Sequence, residues 1–272
     1  VVIEAISACG ISIYGYFDKQ NCFELEEDAE NPDVLWVGTS EGLCRYHSIT
    51  GDTLWVHPVP PPGDVKGHVR GATQTSDGNI WLLAGHMLAR LDKSDLSLTY
   101  FPPSAQPNAG PVGDHVREII EYPEGKLWIA LNQGFSSYDL KTGLFQNYSK
   151  QEGLDKGALI YALLPAKNGQ IWLCTRSNII CFDPKEESFQ YFSIPDGVNT
   201  GFNRLSYLSA QDGSLLFGGT NGLIAFYPDS IRPNNNRPAL VLKDVWIDNR
   251  RFETDTRAAF ISNLEFPAQS SV

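Results

Sequence analysis

Short runs of alternating apolar and polar residues fill most of this chain, separated by Gly, Asp and Asn. That alternation is the signature of β-strands with one buried face, and the separators are turn formers. One phrase returns within it. The first copy reads Leu35-Trp36-Val37-Gly38-Thr39-Ser40-Glu41-Gly42-Leu43-Cys44-Arg45-Tyr46, and related copies open at Ile80-Trp81, Leu127-Trp128, Ile171-Trp172 and Leu215-Leu216. The lead positions 36, 81, 128, 172 and 216 are 45, 47, 44 and 44 residues apart. A period of roughly 40–50 residues with strand content predicts an all-β fold, a β-propeller of four-stranded antiparallel blades.

The third repeat shows the unit. His115 to Tyr122 is predicted as the first strand, Pro123-Glu124-Gly125 as a turn, and Lys126 to Leu131 as the second strand. Asn132-Gln133-Gly134 then turns, Phe135 to Asp139 forms the third strand, Lys141-Thr142-Gly143 turns again, and Leu144 to Tyr148 is the fourth. Gly42, Gly134 and Gly222 recur at the second turn, where a positive φ is needed. Asn178 fills that slot once, as the residue that best tolerates the left-handed region after Gly. Met87 occupies it in the second copy, so Gly85 is expected to take over there. The Trp of each phrase and the third-strand residues Tyr46, Leu91, Tyr138, Phe182 and Phe226 are expected to pack between neighbouring blades.

Five clear repeats are thus expected at about 24–66, 67–112, 113–157, 158–201 and 202–236, within a propeller region of 24–236. Residues 1–23 read as a degenerate or partial blade, with Ile11 to Asp18 like a third strand. Five blades leave open a part in a larger ring. Residues 237–272 read as a linker and the first strands of a truncated β-sandwich, opened by the strand Ala239 to Asp248.

Composition narrows the function classes. The chain of 272 residues carries a net charge of −11, with no basic run, which disfavours nucleic acid. No run approaches the roughly 18 apolar residues of a membrane helix. The start, Val1-Val2-Ile3-Glu4, has no basic region before an apolar one and reads as internal to a longer chain. None of Cys9, Cys22, Cys44, Cys174 and Cys181 has CxxC spacing, so neither metal nor cofactor is expected. Cys174 and Cys181 flank a tight turn, which leaves open a disulfide or, the favoured reading, two buried thiols.

The phrase Asp/Asn-Gly-x-Ile/Leu-Trp, followed by Gly-Leu and a Tyr/Phe-Asp strand, resembles the two-component regulator propeller repeat. The last copy, Asp212 to Pro228, resembles the closing repeat of such proteins, and Arg237-Pro238-Ala239-Leu240-Val241-Leu242-Lys243-Asp244-Val245 resembles the opening of the three-tyrosine β-sandwich that follows it. The resemblance covers about residues 30–272; residues 1–30 and the Met87 turn depart from it. It implies the periplasmic sensor region of a hybrid two-component system. Such a region recognises an oligosaccharide, dimerises through the parent protein, and signals to a histidine kinase and to transcription regulation encoded outside this chain. No direct nucleic acid or membrane contact by this region is implied.

A ligand would sit where the first strands begin, at the rim of the central channel. The positions in register there are His68, His115, Leu159 and Asn203, followed two residues on by Arg70, Arg117, Tyr161 and Leu205. Second turns at the same end add Glu41, His86, Asn132, Gln133, Arg176, Thr220 and Asn221. Planar, polar and aromatic side chains suit sugars, and an arginine fork can also hold a uronate or sulfate. The candidate ligand-binding residues are therefore His68, Arg70, His86, His115, Arg117, Tyr161, Arg176, Asn203 and Arg204, and no catalytic residue is expected. Propeller sialidases, glycosidases and lyases need several arginines, a Tyr nucleophile and carboxylates converging on the mouth, where the only carboxylates expected are Glu41 and Asp114, and sialidase boxes hold a residue between the Asp and Gly that are adjacent here. A protein-binding scaffold is the other alternative.

Overall fold

The computed structural model describes residues 21–58, 67–104, 106, 108–149, 154, 159–193, 197–198, 200–231, 246–247 and 250–251. The partial blade expected upstream of residue 21 and most of the expected sandwich strands lie outside them. The chain divides into two compact units, Val1–Ser230 and Ile231–Val272. In the second, the described residues form one hairpin, Trp246–Ile247 with Arg250–Arg251.

Among its described residues the first unit is all-β apart from a 3-10 turn at Pro228–Ser230. Its first sheet is β1 (Cys22–Glu27), β2 (Val34–Thr39), β3 (Gly42–His47) and β4 (Thr53–Val56). The second is β5 (Val69–Gln74), β6 (Ile80–Ala84), β7 (Met87–Leu91) and β8 (Leu98–Phe101). The third is β9 (Glu118–Glu121), β10 (Lys126–Leu131), β11 (Gly134–Asp139) and β12 (Phe145–Tyr148). The fourth is β13 (Ala162–Pro165), β14 (Ile171–Cys174), β15 (Ile179–Asp183) and β16 (Ser188–Phe192). Among the described residues the fifth holds three strands, β17 (Phe202–Ser209), β18 (Leu215–Gly219) and β19 (Gly222–Phe226). Strands run in sequence order and antiparallel within each sheet, as in propeller blades. The first strands touch in succession, β1 with β5, β5 with β9, β9 with β13 and β13 with β17, so they are the inner strands.

The core lies between blades. Trp81 packs on Tyr138 of the next sheet at 4.9 Å between ring centroids, Trp128 on Phe182 at 5.7 Å, and Trp172 on Phe226 at 4.7 Å. Trp36 shares a cluster with Leu91, which replaces the aromatic. All four tryptophans are buried, whereas Leu216, in the fifth copy, is half-buried. Polar contacts stitch the same seams. Glu26 accepts the Gln74 amide at 3.3 Å, Glu121 accepts that of Ser76 at 2.8 Å, and the Tyr122 hydroxyl donates to the Ala166 carbonyl at 2.8 Å.

Glycine sits where the backbone demands it. Gly134 (φ 143°) lies against the Tyr148 carbonyl of the outer strand, where an added Cβ would clash. Gly85, at φ 63°, does replace the glycine missing at Met87. Asn178 departs from expectation: it is not left-handed, although it faces Thr175 across a two-residue turn as Gly42 faces Thr39. There the Thr175 Oγ1 accepts the Asn178 amide at 3.1 Å. His115 also departs. It stands at φ 56°, and the first strand of that blade begins only at Glu118. Cys174 pairs with Ile179 and Cys181 with Trp172, so the two cysteines are not cross-strand partners, and both are free, buried thiols.

Candidate functional site

The inner strand of every blade is irregular at the same level. In β1 the register passes from Cys22↔Thr39 to Glu24↔Gly38, so Phe23 is an extra residue. In β5 it passes from Val69↔Ala84 to Ala72↔Leu82, so Arg70 and Gly71 face one residue. Before β9, Arg117 donates its amide to Ala130 O at 2.8 Å although Glu118 is the residue paired with Ala130. Before β13, Tyr161 does the same to Cys174 O at 2.7 Å, although Ala162 is paired with it. In β17 the register jumps from Phe202↔Gly219 to Tyr207↔Phe217, which places residues 203–206 against one. A β-bulge bends its strand and re-aims a side chain. Here it acts on Phe23, Arg70, Arg117, Tyr161 and Arg204.

Four of these, Phe23, Arg70, Arg117 and Arg204, line one pocket of about 140 Å³. Gly85 and His86 from the β6–β7 turn, Leu83, and His115 and Val116 ahead of β9 complete its wall. The pocket is smaller than the roughly 300–1,000 Å³ of a site that swallows a whole ligand, so it suits one ring or one functional group. Arg70 lies over the Phe23 ring, with Cζ 5.9 Å from the centroid. The His86 and His115 rings are 4.0 Å apart and inclined by 33°, and the His115 amide donates to His86 O at 2.9 Å. His115 Nδ1 is 2.9 Å from the Asp114 carboxylate, an ion pair when the imidazole is protonated. A left-handed non-glycine residue beside a pocket is a strain often kept for function.

Of the nine residues expected to bind, Arg70, His86, His115, Arg117 and Arg204 meet at this pocket. His68 stands behind His86, edge-on at 6.2 Å. Tyr161 is close enough to Arg117 to act on its charge, but it does not line the pocket. Arg176 is exposed on the β14–β15 turn, and Asn203 is exposed within the β17 bulge. Phe23 was not foreseen, because it falls in a stretch assigned to a partial blade. Asn132 serves Arg117 instead, accepting its Nε at 2.9 Å.

Electrostatics at the mouth are cationic. Burial, then the charges of Arg204 and Arg70, hold the Arg117 guanidinium below its ordinary basicity, with Tyr161 opposing. Deeper in, the carboxylate of Glu118 accepts the Leu163 amide at 2.8 Å and a bond from the Tyr207 hydroxyl. Burial pushes its pKa up to about 8 despite those bonds, and Glu24 adds to the rise. Among the described residues that line the pocket there is no Asp or Glu, so no carboxylate pair of the glycosidase kind faces it. No group of three or more His, Cys, Asp or Glu side chains among the described residues is placed to hold a metal ion.

No family model and no curated protein matches this chain. Solved structures do. The chain is similar to the extracellular domain of the hybrid two-component system BT3049 from B. thetaiotaomicron, with 22% identity and a TM-score of 0.62 over 77% of this chain and 28% of that one. It is similar to the extracellular domain of the hybrid two-component system BT4673 from the same organism, with 18% identity and a TM-score of 0.64 over 79% and 31%. It is also similar to a catalytically inactive virginiamycin B lyase from Staphylococcus aureus solved with quinupristin, with 16% identity and a TM-score of 0.57 over 81% and 73%. The chain spans about a third of the length of the two sensor domains. At such identities the shared property is the fold, and that fold is the β-propeller.

Proposed function

We propose that this chain is a ligand-binding part of the extracytoplasmic sensor region of a two-component signalling protein. Its ligand is an oligosaccharide bound at the channel mouth, and its output is a histidine kinase outside this chain, reached through a dimer of the parent protein. The observation that carries the reading is the set of bulges that turn Phe23, Arg70, Arg117 and Arg204 into one concave pocket beside His86 and His115. A flat aromatic face, three forked donors and two imidazoles are what a sugar ring requires. Two further points support it: the repeat phrase resembles the sensor propellers, and the fold is shared with extracellular domains of hybrid two-component systems. A lyase shares the fold too, but a pocket wall without Asp or Glu favours binding over glycoside cleavage.

The test is a thermal-shift screen of the 272-residue chain against neutral and acidic oligosaccharides, with turnover followed in parallel. A shift without turnover, reduced in Arg117→Ala, is expected. Tyr161→Ala is expected to weaken it less, since Tyr161 acts on Arg117 from outside the pocket wall. Product formation would move the reading to an enzyme. A second reading, a protein-binding scaffold, draws on Leu208, Leu223 and Tyr227, exposed by 57%, 61% and 51% on the last blade. It predicts no shift with any sugar.

A further inference from the structure

The pocket brings three guanidiniums together from three different blades: Arg70 from the second, Arg117 from the third and Arg204 from the fifth. Each stands at the bulge of its inner strand, so the irregular backbone itself brings these cations together. The chain holds 32 acidic and 21 basic side chains, so carboxylates to neutralise an arginine are abundant. Yet among the described residues none of the three makes an ion pair; the pairs present are those of Lys93 with Asp28 and Glu30, and of His115 with Asp114. The neutral oxygen of Asn132 orients Arg117 without cancelling its charge. Converging like charges cost energy in the empty site, and a bound anion would remove that cost while forming charge-assisted bonds to each fork.

We propose that this pocket takes the acid group of an acidic sugar, a carboxylate or a sulfate ester, with the sugar ring seated on the apolar wall of Phe23, Leu83 and Val116. The proposal rests on the oligosaccharide reading above and names the ligand class. Two features limit the anion to a single acid group on a small ring. The volume of about 140 Å³ holds one ring or one functional group, and the net charge of −11 repels a polyanion. Because Arg70, Arg117 and Arg204 belong to separate blades, one acid group would also tie the second, third and fifth blades together.

The test measures thermal shift and titration calorimetry on the full chain with matched sugars. These are cellotetraose, an unsulfated glucuronate-containing disaccharide, the same disaccharide with a 6-O-sulfate, galactose 6-sulfate and galactose, with inorganic sulfate as an ionic control. Stabilisation by an acidic sugar but not by its neutral counterpart is expected, and the arms separate a carboxylate site from a sulfate site. Arg204→Gln should weaken that binding by about tenfold or more, since it removes a charge-assisted donor. Arg204 is exposed, so the melting temperature of the empty variant should not fall; Arg70→Gln is the second variant should it fail to fold. Equal shifts with neutral sugars, an equal shift with inorganic sulfate, or unchanged affinity in both variants would overturn the proposal. Response to neutral sugars alone would leave the sensor reading standing, whereas no response to any sugar would remove both.

Discussion

At the scale of single residues, backbone strain and burial decide most. Gly134 and Gly125 both have positive φ, at 143° and 86°, but only Gly134 faces a carbonyl oxygen; nothing lies within 4 Å of a Cβ at Gly125. Gly134→Ala should therefore destabilise by roughly 2–3 kcal/mol and Gly125→Ala by roughly 1 kcal/mol, as chemical denaturation would show. Glu118 ties inner strands together and gives stability a pH dependence. Its ordinary pKa of 4.5 rises to about 8 in the fold. Below pH 4.5 it is protonated in both states; from there to about pH 8 the folded chain keeps a proton that the unfolded chain has lost, so its contribution falls as pH rises. Glu118→Gln should flatten the loss of stability between about pH 5 and pH 8. Equal slopes in the two proteins would contradict this assignment. Asp28 has the opposite sign. Burial pushes its pKa up, but bonds from Trp36 Nε1 at 2.8 Å, Lys93 at 2.9 Å and the Glu30 amide outweigh it, and the net shift is downward. Its contribution is present above its ordinary pKa of 3.8 and is lost as pH falls through the lowered value.

At the scale of elements, the inner strands differ in kind from the other strands of each blade. The middle strands keep regular ladders; β10 pairs residue for residue with β11 from Lys126↔Asp139 to Leu131↔Gly134. Those strands carry the repeat phrase, and the phrase is legible because a regular strand maps sequence period directly onto a face. The inner strands carry the bulges, and there counting fails. Spacing put Leu205 in register with Arg117, but the jump in β17 brings Arg204 to the pocket. The same logic hid Phe23, whose only sequence mark is an aromatic residue just ahead of the acidic run at Glu24 to Glu27.

At the scale of the whole molecule, stability is shared between blades. Trp128 packs against Phe135 and Tyr148 of its own sheet and Phe182 of the next. Trp128→Ala should cost about 3–5 kcal/mol by denaturant melts, whereas Leu216→Ala, at the half-buried equivalent position of the last blade, should cost about 1 kcal/mol. A ligand that binds only the folded chain at about 100 times its Kd should add about 2.7 kcal/mol, large enough to see in the thermal screen.

The sequence by itself determined the blades. Recurrent Trp, Gly and aromatic positions specify four-stranded sheets and the contacts between them, because those contacts repeat with the period of the chain. It also drew attention to the rim, where the copies disagree. Only the tertiary structure decided which rim residues meet. Arg70, Arg117 and Arg204 are distant in sequence, and each is aimed by a local slip of register that no period encodes. Each slip is set by hydrogen bonds to the next strand of its own blade, but the pocket wall is complete only when several blades bring their slips together.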